Sequence, residues 1–495
     1  MELFYRDNIF ITFLYSYLSW GVNTFIMERF FWEKYTLEKH NQLRYSRLEY
    51  ILSIAAGVGG AVTLHIMWGG PSISKLFLDE ILINAKYIWL AYLPVAIASG
   101  LGFLKYNSKE AIVLERRVQK EDYKVILQIT TRGFNTDAIE RSVRSILYWA
   151  PKYLKDYEIW IVTEDDVDKK FFERLKELND EAKKKIRTIY VPRSYKTPNN
   201  TKYKARALNY ALELRLREKY NLKKTWIYAM DEESIVGEDT IIGIIDFIEN
   251  KSKNGKLIGQ GLIVYSNFWG KNILTSLEDS IRTGDDISRF RFQAEYGEVI
   301  VGAHGSHSLY RADLEAKIGW DFGEVRAEDA LFGVLANKYF SKPYGWLKGK
   351  LYEQSPFSVI DFLKQRRRWF WGKLDILLNR KDIDLKYKAL FAIGLISWLS
   401  ALPSQIITYV NLLHPTPSPN LLAAGLFGFN LGTLIYIYWI GCKLNLQPIE
   451  KDSIWIKTLN ILAIPVISIT EGLAPWYALL TYRNSKKMAF EVIKK

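Results

Sequence analysis

The stretch KTWIYAMDEES, residues 224–234, decides how the middle of this chain is read. Six uncharged residues, mostly aromatic or β-branched, run straight into three carboxylates, Asp231, Glu232 and Glu233. Such a run suits a strand buried on both faces, and acidic residues at its end suit the edge where a parallel α/β sheet binds ligands. If the chain stays extended there, Asp231 and Glu233 share a face while Glu232 points elsewhere. Hard oxygen ligands in that arrangement fit Mg2+ or Mn2+ held jointly with a diphosphate, although a solvated acidic turn also fits the triplet.

Working outward, the flanking segments repeat the same alternation. KVILQIT at 124–130 reads as a buried strand followed by the loop TRGFN and a helix from Thr136. YEIWIVTEDD at 157–166 is a second strand ending in acids, and IRTIYVP at 186–192 a third. KARALNYALELRLREKY is the helix before the acidic strand. Strands alternating with helices imply a largely parallel sheet covered on both faces, with ligands at the carboxyl ends of the strands. This soluble unit is expected over residues 121–386.

On either side the chain becomes apolar. Asn8 to Met27 carries no charge, and Ile51 to Ser74 and Tyr87 to Leu104 are similar, each near the roughly 20 residues a bilayer core requires. Residues 1–120 therefore read as a membrane region of about three helices. Ala389 to Cys442 lacks Asp, Glu, Lys and Arg altogether and is broken only by HPTPSPN, which predicts a helical hairpin. Ile454 to Tyr482 contains Lys457, Pro465, Glu471 and Pro475, so residues 387–495 are expected to hold the hairpin plus one spanning or re-entrant segment. Lys and Arg cluster at 29–47 and 105–120, and the positive-inside rule puts these segments, with the soluble domain, on the cytoplasmic side. The N-terminus lacks the basic start and small-residue cleavage site of a removable signal peptide. Cys442 is the single cysteine, so no intramolecular disulfide forms and no zinc-type Cys/His spacing exists.

Two further motifs carry chemistry. RAEDALFGV sets Glu328 and Asp329 at the start of a helix, where a carboxylate serves as a cap or as a general base. DFLKQRRRWFWGK, residues 361–373, places three arginines among aromatics just before the membrane. Arginine forks onto phosphate and tryptophan offers a face to a sugar ring, while snorkelling beside lipid headgroups is the plainer reading of the same residues.

Taken in order, a parallel-sheet domain, MDEES, GAHGSHSLYR, AEDALFG and YEQSPFSVIDFLKQRRRWFWG resemble the family 2 glycosyltransferases of GT-A fold. The similarity is to their membrane-embedded, cellulose-synthase-like branch, and within it to the egghead-like beta-mannosyltransferases, over about residues 122–375. The fold class implied is an α/β GT-A nucleotide-sugar-binding domain, a mostly parallel mixed sheet flanked by helices, inserted between N- and C-terminal transmembrane helices. By this resemblance Thr131, Arg132 and Gly133 line the nucleotide, Glu164 and Asp165 recognise base and ribose, and Lys204 lies near the phosphates. Asp231 and Glu233 stand at the metal motif, where the second aspartate is replaced by glutamate. Asp329 stands at the catalytic base with Glu328 beside it, and Ala327 replaces the usual threonine. Gln365, Arg368 and Trp369 match Gln-x-x-Arg-Trp, implying that Arg368 holds the departing diphosphate and the other two shape the acceptor pocket. His304 and Ser306 fall where acceptor contacts are expected. Arg366 and Arg367 are left to the lipid surface.

The resemblance implies an inverting, metal-dependent hexose transfer, with GDP-mannose favoured over UDP-glucose as donor. The acceptor is a lipid-linked sugar in glycolipid or lipid-linked oligosaccharide synthesis, and Mn2+ or Mg2+ is the cofactor. A processive polysaccharide synthase shares these motifs but is expected to need more than five to seven spanning helices. A receptor or transporter predicts charge inside the spans, where only His65 and Glu471 fit. Nucleic-acid binding would use the net charge of +14, yet the basic residues are spread over loops and membrane flanks instead of forming a stripe.

Overall fold

The structure is a computed structural model that describes residues 32–42, 44–68, 85–105, 111–413 and 421–482. The expected span Asn8 to Met27, the HPTPSPN turn and the basic tail from Arg483 lie outside the described residues. In chain order the elements used below begin with α1 (Arg47–Trp68), then a 3-10 segment (Lys86–Tyr92) running into α2 (Leu93–Lys105). Next come β1 (Lys124–Thr130), α3 (Thr136–Tyr153), β2 (Tyr157–Glu164), β3 (Ile186–Val191), α4 (Tyr203–Arg217) and β4 (Thr225–Met230). They are followed by β5 (Ile235–Val236), β6 (Ile258–Asn267), the helical run α5 (280–296), β7 (Ser308–Arg311), α6 (Glu328–Tyr339) and β8 (Tyr344–Gln354). The chain ends in α7 (Val359–Asn379), α8 (Leu385–Leu413), α9 (Leu421–Leu446) and α10 (Ile454–Thr481).

The described strands form one sheet in the order β3-β2-β1-β4-β7-β6-β8-β5. β3, β2, β1 and β4 are parallel; β1, β2 and β4 are largely buried, as continuous apolar runs covered by helices on both faces should be, and the edge strand β3 is half-buried. The register pairs Thr130 with Val162 and Ile129 with Met230, so Thr131, Glu164 and Asp231 emerge along one edge. Beyond β4 the sheet is mixed: β7 runs antiparallel to β4 and to β6, and β6 runs parallel to β8. The reason is where the chain comes from. Ser308 pairs with Ala229, so β7 starts at the ligand edge and must run back down the sheet.

Tyr228 and Gly349 pin the loop before β7. The Tyr228 hydroxyl meets His307 Nδ1 at 2.7 Å, and His307 Nε2 meets the Gly349 carbonyl at 2.8 Å. Burial lowers the His307 pKa to about 4, so this imidazole is neutral and serves as an anchor. The preceding residues, His304 to Ser306, are thereby draped across the carboxyl edge.

Five helices are long and apolar enough to cross a membrane among the described residues: Arg47–Met67, Lys86–Lys105, Leu385–Leu413, Leu421–Ile449 and Ile454–Thr481. The chain is a membrane protein. α9 lies tightly on α1, where Gly428 and Gly432, spaced as G-x-x-x-G, meet Gly57 backbone to backbone. Asn445 at the base of α9 ties the helix to the sheet domain, accepting from the Tyr265 amide and the Thr283 hydroxyl, each at 2.8 Å.

α10 is one continuous helix despite its two prolines, so the segment expected to be either spanning or re-entrant has the length of a span. α8 and α10 compensate for each other's prolines. Pro475 cannot donate to the Glu471 carbonyl, and Trp398 Nε1 of α8 donates there instead at 3.3 Å. Pro403 leaves the Leu399 carbonyl without its helical donor, and Trp476 Nε1 of α10 supplies it at 3.0 Å. Each tryptophan restores the bond that the other helix lost, which hydrocarbon surroundings demand.

Candidate active site

One cavity of about 1690 Å³ begins at the carboxyl edge of the parallel strands and runs between α5, α6 and α7 into the space walled by α8, α9, α10 and the 3-10 segment. α8 packs on α7, α10 and the 3-10 segment, while α9 packs on α1, α5 and α10. α8 and α9, the two helices of the expected hairpin, stand on either side of the cavity. Of the candidates named above, Thr131, Arg132, Glu164, Lys204, Asp231, Glu233, His304, Ser306, Glu328, Asp329, Gln365, Arg368 and Trp369 all border this space.

At the sheet edge the chain does not stay extended. β4 ends at Met230 and residues 231–234 turn, with the Ser234 amide 3.2 Å from the Asp231 carbonyl. The alternation expected for Asp231 and Glu233 is therefore lost, and Glu232 also borders the cavity, where it accepts from the Thr131 hydroxyl. Lys204 Nζ donates to Asp231 Oδ1 at 2.5 Å and to the Gly305 carbonyl at 3.0 Å, joining α4, the β4 turn and the 297–307 loop. Burial works against this ammonium, but Asp231, Glu328 and Asp329 together outweigh it and raise its pKa.

Two expected nucleotide contacts do not border the cavity. Asp165 accepts from the Arg193 amide at 3.1 Å and is turned away, while its neighbour Asp166 lines the wall. Glu164 is held by a two-pronged bond from Arg206 at 2.8 and 2.9 Å. Gly133, at φ +79, tucks beside Val167, where any side chain would overlap; its amide bonds to the Thr131 hydroxyl at 2.8 Å.

Glu328 and Asp329 open α6. Burial, then the neighbouring Asp329 charge, pushes Glu328 up to about 7, against Lys204 and Arg368. Burial also raises Asp329, opposed by the Ala330 amide, which donates to its Oδ1 at 2.7 Å, and by Lys204 and His304. α7 approaches Ala327 closely. A Cβ on Gly372 would lie 2.5 Å from the Ala327 Cβ, so the helix carrying QRRRW touches the residue before the two acids. His304 Nε2 lies 2.6 Å from Asp286 Oδ1 and its ring stacks on Phe290. Ser306 is buried and bonds to the Ser234 hydroxyl at 3.1 Å.

Arg366 and Arg367 are not at the lipid surface; both are buried. Arg366 donates to Glu471 of α10 at 2.8 Å, to Asp279 at 2.6 Å and to Gln365 at 2.7 Å. Arg367 lies over the rings of Trp371 and Tyr477, and Trp371 Nε1 closes the end of α10 by donating to the Ala478 carbonyl at 2.7 Å. Apolar neighbours suggested snorkelling, but α7 is enclosed between the sheet domain and α10, and the acids that pair with Arg366 are 87 and 105 residues away. The ring of Trp369, expected to carry a sugar, has the guanidiniums of Arg282 and Arg366 at 4.3 and 4.5 Å. Sequence reasoning missed Arg282, Asp286 and Lys373. Only Lys373 left a trace, since Gln365, Trp369 and Lys373 recur every fourth residue on one helical face.

The fold family implies a divalent cation. Asp231 and Glu233 bring hard carboxylate oxygens to the cavity wall, and among the described residues no group of three or more His, Cys, Asp or Glu side chains forms a complete cage. That donor set fits Mg2+ or Mn2+ that takes its other ligands from phosphate oxygens and water.

A mixed sheet with acids along its carboxyl edge opens into a cavity shared with spanning helices, the arrangement that the resemblance to membrane-embedded GT-A glycosyltransferases implied. Residues 226–446 match the family described as glycosyl transferase family group 2. Beta-1,4-mannosyltransferase egh of Drosophila melanogaster is 31% identical over 366 residues, which cover 72% of this chain and 75% of that protein. Beta-1,4-mannosyltransferase bre-3 of Caenorhabditis elegans is 33% identical over 247 residues, 49% of this chain and about half (52%) of the relative. The mannosyltransferase PcManGT from Pyrobaculum calidifontis, solved with GDP-Man and Mn2+, has a similar fold, with a TM-score of 0.50 at 12% identity over 83% of this chain and 100% of that one. The chain belongs to the family 2 glycosyltransferases and groups with the egghead and bre-3 enzymes.

Proposed function

We propose that this enzyme transfers mannose from GDP-mannose, with inversion, to a hydroxyl of a lipid-linked sugar acceptor at the cytoplasmic face of the membrane. The observation that carries this reading is the single cavity that joins Asp231, Glu233 and Asp329 to the walls of the spanning helices. The names of the relatives support mannose as the sugar and GDP-mannose as the donor. Sidedness is supported by the basic segments at 29–47 and 105–120, which flank the helix pair preceding β1.

Asp231 and Glu233 would hold the divalent cation, which when bound supplies positive charge to the diphosphate as the leaving group departs. Lys204 keeps Asp231 in place through its 2.5 Å contact, and Arg368 adds a guanidinium to the same cavity. Burial raises both carboxyls of the Glu328 and Asp329 pair, while the Ala330 amide, Lys204 and His304 favour the charged form of Asp329, which is the member we assign as the base. Asp329 takes the acceptor hydroxyl proton as the new bond to the anomeric carbon forms and the bond to the phosphate oxygen breaks on the opposite face. An α-linked donor thus gives a β product.

A chain-extruding synthase is the second reading, favoured by one observation. The cavity is bordered by α8 from Leu390 to Leu412, a rise of about 33 Å at 1.5 Å per residue, close to the thickness of a bilayer core. Purified protein in nanodiscs, given GDP- and UDP-sugars with Mn2+, separates the two. We expect GDP release from GDP-mannose and a single β-mannosyl addition; a polymer made from UDP-glucose would reject the first reading.

A further inference from the structure

Asp329 has one carboxylate oxygen engaged and one left over. Oδ1 accepts from the Ala330 amide, while Oδ2 has no hydrogen-bond partner among the described residues. A methyl on Gly305 would lie 3.1 Å from that Oδ2, so the residue before Gly305, His304, stands beside the base, and it helps to keep Asp329 charged. His304 is itself clamped on three sides. Nε2 lies 2.6 Å from Asp286 Oδ1, the ring stacks on Phe290 at 4.5 Å, and the backbone amide donates to Gln260 Oε1 at 3.3 Å. Asp286 is buried, and its second oxygen accepts from the Ile263 amide at 3.0 Å, which ties the clamp to β6. A carboxylate against Nε2 draws the ring proton there and leaves the lone pair on Nδ1. Nδ1 has no hydrogen-bond partner among the described residues, and the side chain keeps 15% of its surface exposed on the cavity wall. Ser306, expected beside it, bonds to Ser234 instead.

We propose that Asp286 is a positioning residue that sets the regiochemistry of transfer: through His304 it presents Nδ1 to the acceptor hydroxyl next to the one that attacks. Asp329 Oδ2 and His304 Nδ1 are two unpaired hydrogen-bond acceptors with Gly305 between them, and two neighbouring sugar hydroxyls offer the matching pair of donors. With the second hydroxyl held, a single position of the ring faces the base. The inference rests on the sugar-transfer reading above and extends it to the position of the new bond.

The test uses full-length protein in phosphatidylcholine nanodiscs with GDP-mannose, Mn2+ and two probes, octyl β-glucoside and octyl β-mannoside, and reads the product linkage by NMR. Wild type should make one linkage. H304F keeps the stack on Phe290 but lacks Nδ1, while D286N turns its oxygen to the Ile263 amide, so that its NH2 faces Nε2 and the ring proton moves to Nδ1. Each should lower kcat/KM for the glycoside about tenfold, the loss of one hydrogen bond, and place about a tenth or more of the mannose on a second hydroxyl, with GDP-mannose affinity within about twofold of wild type. The double variant should be no worse than either alone, because both remove one contact. Wild type should also lose about tenfold on one of the deoxy glycosides that lack a hydroxyl beside the attacking one, and H304F should lose little more on it. An unchanged single linkage in both variants, losses shared equally by donor binding and transfer, or wild-type use of every such deoxy glycoside at the parent's rate would overturn the proposal. Absence of mannose transfer from wild-type protein to either glycoside would reject the transferase reading itself.

Discussion

Asp329, Lys204 and Gly305 meet within a few ångströms, and that crowding makes single atoms matter. A Cβ at position 305 would lie 3.1 Å from Asp329 Oδ2 and 3.3 Å from Lys204 Nζ. G305A should therefore displace the base and lower kcat by roughly a hundredfold with little change in donor affinity, measured by steady-state GDP release and calorimetry. Glu328 gives a pH signature. Its folded pKa, about 7, lies above the ordinary carboxylate value, so its protonated form favours the fold, and that stability is present at low pH and lost as pH rises through 7. E328Q should raise the melting temperature at pH 8 and leave it nearly unchanged at pH 4. At this scale the acids, Lys204 and the Gln-x-x-Arg-Trp residues stood out in the sequence by type and order, and they border one cavity. The pairing of Arg366 with Asp279 and Glu471 was not legible, because burial is decided by chain segments far away in sequence.

The helices α8 and α10 show how an element survives its own breakers. If Trp476 stands in for the donor that Pro403 lacks, W476F leaves the Leu399 carbonyl bare and should cost about 1–3 kcal/mol in detergent unfolding. W476F with P403A should recover most of that loss, since the helix regains its own amide; an additive further loss would contradict the compensation. Length and absence of charge made the spans readable, but the prolines in Ile454 to Tyr482 spoke against a continuous helix, and the indoles that rescue it come from another helix. Likewise β1 to β4 were readable from their apolar runs. The turn at 231–234 was not, since three acids after a strand give no sign of whether the backbone stays extended.

Across the whole molecule, the sheet domain and the membrane helices share one cavity and are joined by the Arg366 pairs. R366M leaves the buried Asp279 and the cavity-lining Glu471 without their cation, and should cost about 3–5 kcal/mol and lower acceptor turnover more than donor binding. The order of motifs along the chain, through the family it resembles, pointed to a mostly parallel mixed sheet beside a membrane-facing site, but the opening between α8 and α9 was not legible, because it depends on packing between distant segments. The most direct measurement is made on D329N, by calorimetry of GDP-mannose binding with Mn2+ alongside mannose transfer in nanodiscs. Donor affinity within about twofold of wild type, with transfer reduced by on the order of 10² or more, is the predicted result. Transfer at the wild-type rate would contradict it.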